Sequence, residues 1–311
     1  MPLPIEFSRE QIRTITRYSF YLLFLLAPVL NIFRFDLPHG HFIIFGQPWL
    51  LGLETSQYQC FDTSGTVLNI LLNFILPIIL LLMLSALIAW KYGRIYCGWL
   101  CPHFSVVETV NNMMQKHLNR VTLWEKASSA TKKFIPWITV LGVCIVIAFI
   151  WAFTLLSYIF PPAAVALDLY YLKLSFGPSL FLLAATIILT LDFFFARHLF
   201  CKYGCSVGIM QSLIWMSNSK AMVIGFDKSQ AHLCQTCDNE CDKACPMRLP
   251  VRSIKRAKFT CTQCGVCLTA CDKVHENTAQ ERVINWVSNE KAIAVDRHAA
   301  SFNIKRLKKS T

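Results

Sequence analysis

Long uncharged runs alternate with short basic segments along most of the chain, and the alternation stops near Met222. Crossing roughly 30 Å of hydrocarbon takes about 20 mostly apolar residues in a helix. Four runs approach that length. Tyr18–Phe33 is short but bracketed by Arg17 and Arg34, whose stems can reach the interface. Val67–Trp90 and Phe134–Phe160 hold no charge, and Pro178–Arg197 holds only Asp192 before its terminal arginine. No signal-peptide cleavage pattern follows the first run, so it is expected to stay as an anchor. The pattern therefore predicts four transmembrane helices within residues 1–221, a soluble segment at 222–290 and a basic tail at 291–311. Around His103 to Arg120 and Ser206 to Trp215, apolar and polar residues mix at helical spacing, which fits helices lying in the interface or short solvated connectors.

Charge orients the runs. Residues 35–66 contain no Lys or Arg and 161–177 contain only Lys173, whereas 91–133 contain seven and the stretch from Arg197 onward contains eighteen. Basic loops stay on the cytoplasmic side, so both termini are expected there, in a bacterial inner membrane crossed several times. The net charge of +12 thus follows the loops and gives no reason to expect nucleic acid as a partner. With 55% hydrophobic and 15% charged residues, an ordinary cytosolic enzyme is excluded.

Eight of the fourteen cysteines stand in two compact groups: Cys234-x2-Cys237-x3-Cys241-x3-Cys245-Pro246 and Cys261-x2-Cys264-x2-Cys267-x3-Cys271. Iron–sulfur cubanes take four thiolates, three from a tight loop and, in two-cluster ferredoxins, the fourth from the other group. The spacing predicts crossed ligation, with Cys234, Cys237, Cys241 and Cys271 on one [4Fe–4S] cluster and Cys261, Cys264, Cys267 and Cys245 on the other. Zinc also accepts four thiolates, but its ribbons usually present separated pairs rather than a run. Lys255, Arg256 and Lys258, between the groups, read either as a solvated basic face or as a dock for an acidic donor.

A second set repeats at the ends of two apolar runs, as Arg94-Ile95-Tyr96-Cys97-Gly98-Trp99-Leu100-Cys101 and Arg197-His198-Leu199-Phe200-Cys201-Lys202-Tyr203-Gly204-Cys205. The two copies look like related hairpins. Cys97, Cys101, Cys201 and Cys205 could serve as a further cluster or Cu(I) site, as exchanging thiols favoured by neighbouring Arg94, Arg197 and Lys202, or as structural residues. Cys144 reads as a packing residue, Cys60 has no partner cysteine on its side, and Asp192 reads as a partner of Arg197 or part of a proton or quinone path. His39 and His41 read as loop histidines, and no run holds an internal histidine for haem. No catalytic acid, base or nucleophile stands out.

Gly93 to Pro102, Cys201 to Gln211 and the two tail groups together resemble the bacterial membrane-anchored polyferredoxins. That family includes the H subunit of the periplasmic nitrate reductase system, the methylamine-utilisation ferredoxin-type protein and assembly factors of haem–copper oxidases. Cys271-Asp272 and the later Arg282-Val283-Ile284-Asn285-Trp286 look most like the assembly branch. The resemblance implies a membrane α-helical protein with a small α+β domain holding two [4Fe–4S] clusters. It implies electron transfer between a cytoplasmic or quinol donor and a membrane or periplasmic acceptor, as part of a larger oxidoreductase rather than alone. In the assembly branch the implied acceptor is copper, which makes a maturation factor the alternative expectation.

Overall fold

The computed structural model describes residues 8–49, 63–118, 135–235, 237–275 and 283–295. Cys60, the loop cations Arg120, Lys126, Lys132 and Lys133, and the basic tail beyond Val295 lie outside them. The chain divides into two compact units, one of Met1–Tyr18, Leu84–Phe104 and His198–Thr311, the other of Ser19–Met83 and Ser105–Arg197.

Helix α1 spans Arg9–Leu26, so it starts and stops earlier than the expected run Tyr18–Phe33. Arg9, Arg13 and Arg17 recur every four residues and share one helix face, and Arg13 and Arg17 are buried there. Pro28 then prevents continuation, and Asn31 turns the chain at a φ of 52°. Strands β1 (Phe33–Asp36), β2 (His41–Ile44) and β3 (Gln47–Trp49) follow as an antiparallel meander, with Phe33 opposite Ile44 and Phe42 opposite Trp49. Among the described residues three helices are long and apolar enough to cross a membrane: Val67–Tyr92, Ile135–Ser157 and Phe176–Ala196. The first joins α2 (Thr63–Ile70) to α3 (Leu76–Tyr92) through a π-helical turn at Leu71–Ile75.

The second unit is built on one face of each helix. In α6 (Ile135–Ser157), Val140, Cys144, Ala148 and Trp151 fall at intervals of four, four and three and form a single buried stripe. Val106, Val107, Val110 and Met114 of α5 (Pro102–Leu118) join that core, as does Phe193, beyond α8 (Phe176–Leu191). Cys144 is a fully buried packing residue. The remaining faces expose rows such as Leu80, Leu81, Leu82 and Met83. Such a surface is untenable in water and ordinary against lipid. The Arg197 guanidinium donates to Asn111 Oδ1 at 2.9 Å and lies on Met114 Sδ.

The first unit gathers the cysteines. It holds the short α4 (Ile95–Trp99), the start of α5, α9 (Ser206–Met216), the strands β4 (Val223–Phe226) and β5 (Ile284–Val287), and the helices α10 (Glu240–Lys243) and α11 (Val266–Val274). The strands pair antiparallel, Val223 opposite Val287 and Phe226 opposite Ile284. Ile224, Val251, Leu268 and Ile284 pack with Cys241 and Cys267 between this ribbon and the short helices. The expectation that Lys255 and Lys258 belong to a solvated or docking face is overturned, because both are buried. Lys255 Nζ donates to the carbonyls of Trp215 and Asn218, and Lys258 Nζ to those of Ile224 and Val251. Ammonium groups here replace the missing backbone partners of irregular loops. Arg256 alone of the three is exposed.

Candidate metal and redox site

Two of the three cysteine groups close into cages. Cys245, Cys261, Cys264 and Cys267 line one cavity, with Pro246, Met247, Leu249 and Val251 as its apolar wall and Lys258 at its edge. Three of the thiols come from the second tail motif and the fourth from the first. Loop geometry achieves this: Gln263 adopts a φ of 52° and Gly265 one of 75°, so the chain reverses between Cys261 and Cys267. Burial pushes the Cys261 thiol up to about 12 and the Cys267 thiol higher still, each raised further by the neighbouring cysteines. Cys241 and Cys271 lie near each other and near Cys237, and Cys234 acts on Cys271. Burial followed by the Asp242 charge raises Cys241 to about 11.

The membrane-proximal set converges in the same way. Cys97, Cys101, Cys201 and Cys205 all lie within electrostatic range of one another. Both second cysteines sit at helix starts: Cys101 precedes α5, and Cys205 caps α9, where the Gly208 amide donates to its Sγ at 3.4 Å. Burial drives Cys101 to about 11 despite amide donation from Phe104 and His103, and drives Cys201 further. Cys97 is raised by burial, against the pull of the Arg94 guanidinium. The Cys97 thiol donates to Gln211 Oε1 at 3.4 Å, and Cys201 Sγ lies 3.3 Å from His103 Nδ1.

Phe104, Met247 and Leu249 pack Cys101 and Cys201 against Cys245 and Cys261, so the membrane cage adjoins the tail cavity. Gly98, inside the first repeat, makes this approach possible, because a Cβ there would overlap the Thr262 carbonyl oxygen and stand 3.1 Å from Cys264 Cα. Trp99 Nε1 also donates to the Gln263 carbonyl at 3.0 Å.

Among the described residues, no three His, Cys, Asp or Glu side chains approach closely enough for a single metal ion. Charge bears on what the cages hold. The first unit buries Arg13, Arg17, Arg94, Lys255 and Lys258, while the buried carboxylate among the described residues, Asp36, belongs to the second unit. Lys258 acts on Cys261 and Arg94 on Cys97 and Cys201, and thiolates around an iron–sulfur core give those two charges anionic partners. The residues thus fit [4Fe–4S] clusters.

A family described as a 4Fe-4S binding domain matches residues 74–120 and 176–221, the two halves carrying Cys97, Cys101, Cys201 and Cys205. The ferredoxin-type protein NapH of Haemophilus influenzae is 25% identical over 205 residues, covering 63% of this chain and 67% of NapH. These matches support the polyferredoxin family for the chain. Another polyferredoxin relative is YccM of Escherichia coli K12, provisionally assigned to electron transport, 23% identical over 194 residues or 62% of this chain. The match spans about half of that protein, 52% of its length. An uncharacterised protein of Methanocaldococcus jannaschii is 24% identical over 202 residues, 64% of this chain and 70% of its own. No solved structure matches the chain.

The twelve clustered cysteines were named from sequence, and three neighbouring residues were not. His103 and Gln211 fell within stretches read as interfacial helices or short connectors, and Arg13, whose Nε donates to the Gly98 carbonyl at 3.1 Å, was not singled out. The period-four arginines of α1 were the available signal for Arg13. For His103 and Gln211 there was none, because each acts on a cysteine about a hundred positions away.

Proposed function

We propose that this polyferredoxin is a membrane-bound electron relay whose tail holds two [4Fe–4S] clusters. Cys261, Cys264, Cys267 and Cys245 would ligate one, and Cys234, Cys237, Cys241 and Cys271 the other. One observation carries the reading: a single cavity is lined by three cysteines of one tail motif and the last cysteine of the other, the crossed set expected of a two-cluster ferredoxin. Bound clusters supply one-electron transfer. The protein's part is to exclude water with Met247, Leu249 and Val251, to place Lys258 beside the thiolates, and to seat the Cys241 and Cys267 groups in one core.

The relay exchanges electrons with a redox protein or quinol at a bacterial inner membrane, with both termini on the cytoplasmic face. Contacts within the first unit support an even number of crossings. At the head of α1, Glu10 pairs with Lys273 and Arg9 with Asp272, and Arg13 bonds Gly98 just beyond Val67–Tyr92. With one span between Arg17 and Gly98, a return to the same side needs a second crossing. The apolar half of α1 and the residues after it supply it, giving four.

The test is anaerobic purification of the full chain in detergent, with iron, sulfide and zinc counted and the reduced protein examined by electron paramagnetic resonance. The Cys237→Ser/Cys264→Ser variant should lose about eight irons together with interacting cubane signals. Zinc without sulfide in the unaltered chain overturns the reading.

A further inference from the structure

Cys97, Cys101, Cys201 and Cys205 lie close to one another, as the cysteines of the tail cavity do. Each of the four lies within electrostatic range of the other three, as do Cys245, Cys261, Cys264 and Cys267. Two thiols come from each hairpin, so neither half could hold a cluster alone.

An independent observation comes from Arg94. The residue is 1% exposed, its Nη2 donates to the Cys201 carbonyl at 2.7 Å, and its Nε and Nη1 meet no oxygen or nitrogen acceptor, the guanidinium facing the Cys97 sulfur instead. The charge acts on both Cys97 and Cys201. A guanidinium withdrawn from water is costly unless an anion faces it, and a neighbouring thiol becomes one only as a thiolate. Gly208 secures its position, because any Cβ there would overlap the guanidinium. Amides at the two helix starts already donate to the sulfurs, those of His103 and Phe104 to Cys101 and that of Gly208 to Cys205.

We propose that Cys97, Cys101, Cys201 and Cys205 together ligate a third [4Fe–4S] cluster, shared between the two hairpins, with Arg94 as its buried counter-charge. A cubane on four thiolates is net negative when oxidised and one charge more negative when reduced. Arg94 therefore stabilises the reduced form more and raises the reduction potential. His103 and Gln211, already at the sulfurs of Cys201 and Cys97, are placed to donate hydrogen bonds that act in the same direction, Gln211 after rotation of its amide. The electron comes from the adjoining tail cluster across Phe104, Met247 and Leu249. The proposal rests on the relay reading for this electron source but not for its own ligands.

The test uses the full chain, purified anaerobically in detergent. The unaltered protein should carry about 12 irons and as many sulfides, and Cys97→Ser/Cys201→Ser about 8 with the tail signals unchanged. The tail variant Cys237→Ser/Cys264→Ser should retain about 4, so the two readings fail separately. Arg94→Gln, with Arg94→Lys as the charge-conserving control, should keep the iron and move the midpoint potential of one centre alone to lower values, the lysine variant restoring it in part. About 8 irons in the unaltered protein, whether with zinc, with copper or with no further metal, overturns the cluster. An Arg94→Gln titration identical to that of the unaltered protein overturns the counter-charge.

Discussion

Gly98→Ala tests whether the membrane repeat and the tail cavity are joined as described. The added Cβ meets the Thr262 carbonyl oxygen and lies 3.1 Å from Cys264 Cα and Cβ. These are backbone atoms and the root of a ligand, so no flexible side chain can swing aside. Overpacking of this kind costs about 1–3 kcal/mol. Alanine recovers at most about 1 kcal/mol of helix propensity in α4. With that gain subtracted, the net effect is up to about 2 kcal/mol against the native position of the Cys261–Cys264 loop, a population shift of up to roughly 30-fold. Iron content and redox titration of the purified chain read it out: one tail centre should become labile on dilution or shift in potential, with the other unchanged. Gly142→Ala is the control, since nothing lies within 4 Å of a Cβ at that position. If Gly98→Ala keeps full iron and an unaltered titration, the close approach of the two motifs is wrong.

Gly208→Ala should act on Arg94 without touching a cysteine, displacing the guanidinium and reproducing in part the potential change expected of Arg94→Gln. Lys258→Met leaves the Ile224 and Val251 carbonyls without their donor and should destabilise the first unit by about 1–3 kcal/mol, seen as a lower thermal midpoint and faster iron loss to chelator. Burial raises the Asp36 carboxyl, but the His39 hydrogen bond and the Arg34 charge outweigh it and hold the group below its ordinary value. Stability from Asp36 is therefore fully present above about pH 4 and is lost as pH falls through the lowered folded value. Melts in detergent between pH 5 and pH 2 should show this loss, and Asp36→Asn should flatten it; equal slopes in both proteins would refute it.

The apolar runs beginning at Val67, Phe134 and Pro178 were legible as helices because nothing competes with twenty uncharged residues for that reading. The first run was harder, since its boundary depends on where buried arginines find partners, and Arg13 finds one 85 positions away at Gly98. The helices after Cys101 and Cys205 were one of two readings of their mixed apolar and polar spacing, short solvated connectors being the other. The convergence of Cys97, Cys101, Cys201 and Cys205 was visible from the internal repeat, which places equivalent residues at equivalent span ends. Lys255 and Lys258 were misread for a general reason: local charge density says nothing about which ammonium will be enclosed by a loop. The adjacency of the two cages was not legible at all, because Phe104, Met247 and Leu249 carry no signature apart from being apolar.

The first unit is assembled from three distant stretches, residues 1–18, 84–104 and 198–311. During synthesis Cys97 and Cys101 emerge about a hundred residues before Cys201 and Cys205, and still longer before Cys261. At roughly 5–20 residues per second they wait on the order of 5–20 s for their nearest companions. For that interval the early thiols stand at the bilayer surface without the residues that will enclose them, open to oxidants and to stray metal ions. Iron–sulfur insertion at either cage therefore belongs to the last stage of biogenesis, after the C-terminal segment has left the ribosome. A chain arrested before Cys201 would leave an exposed thiol pair in the membrane for proteases to recognise.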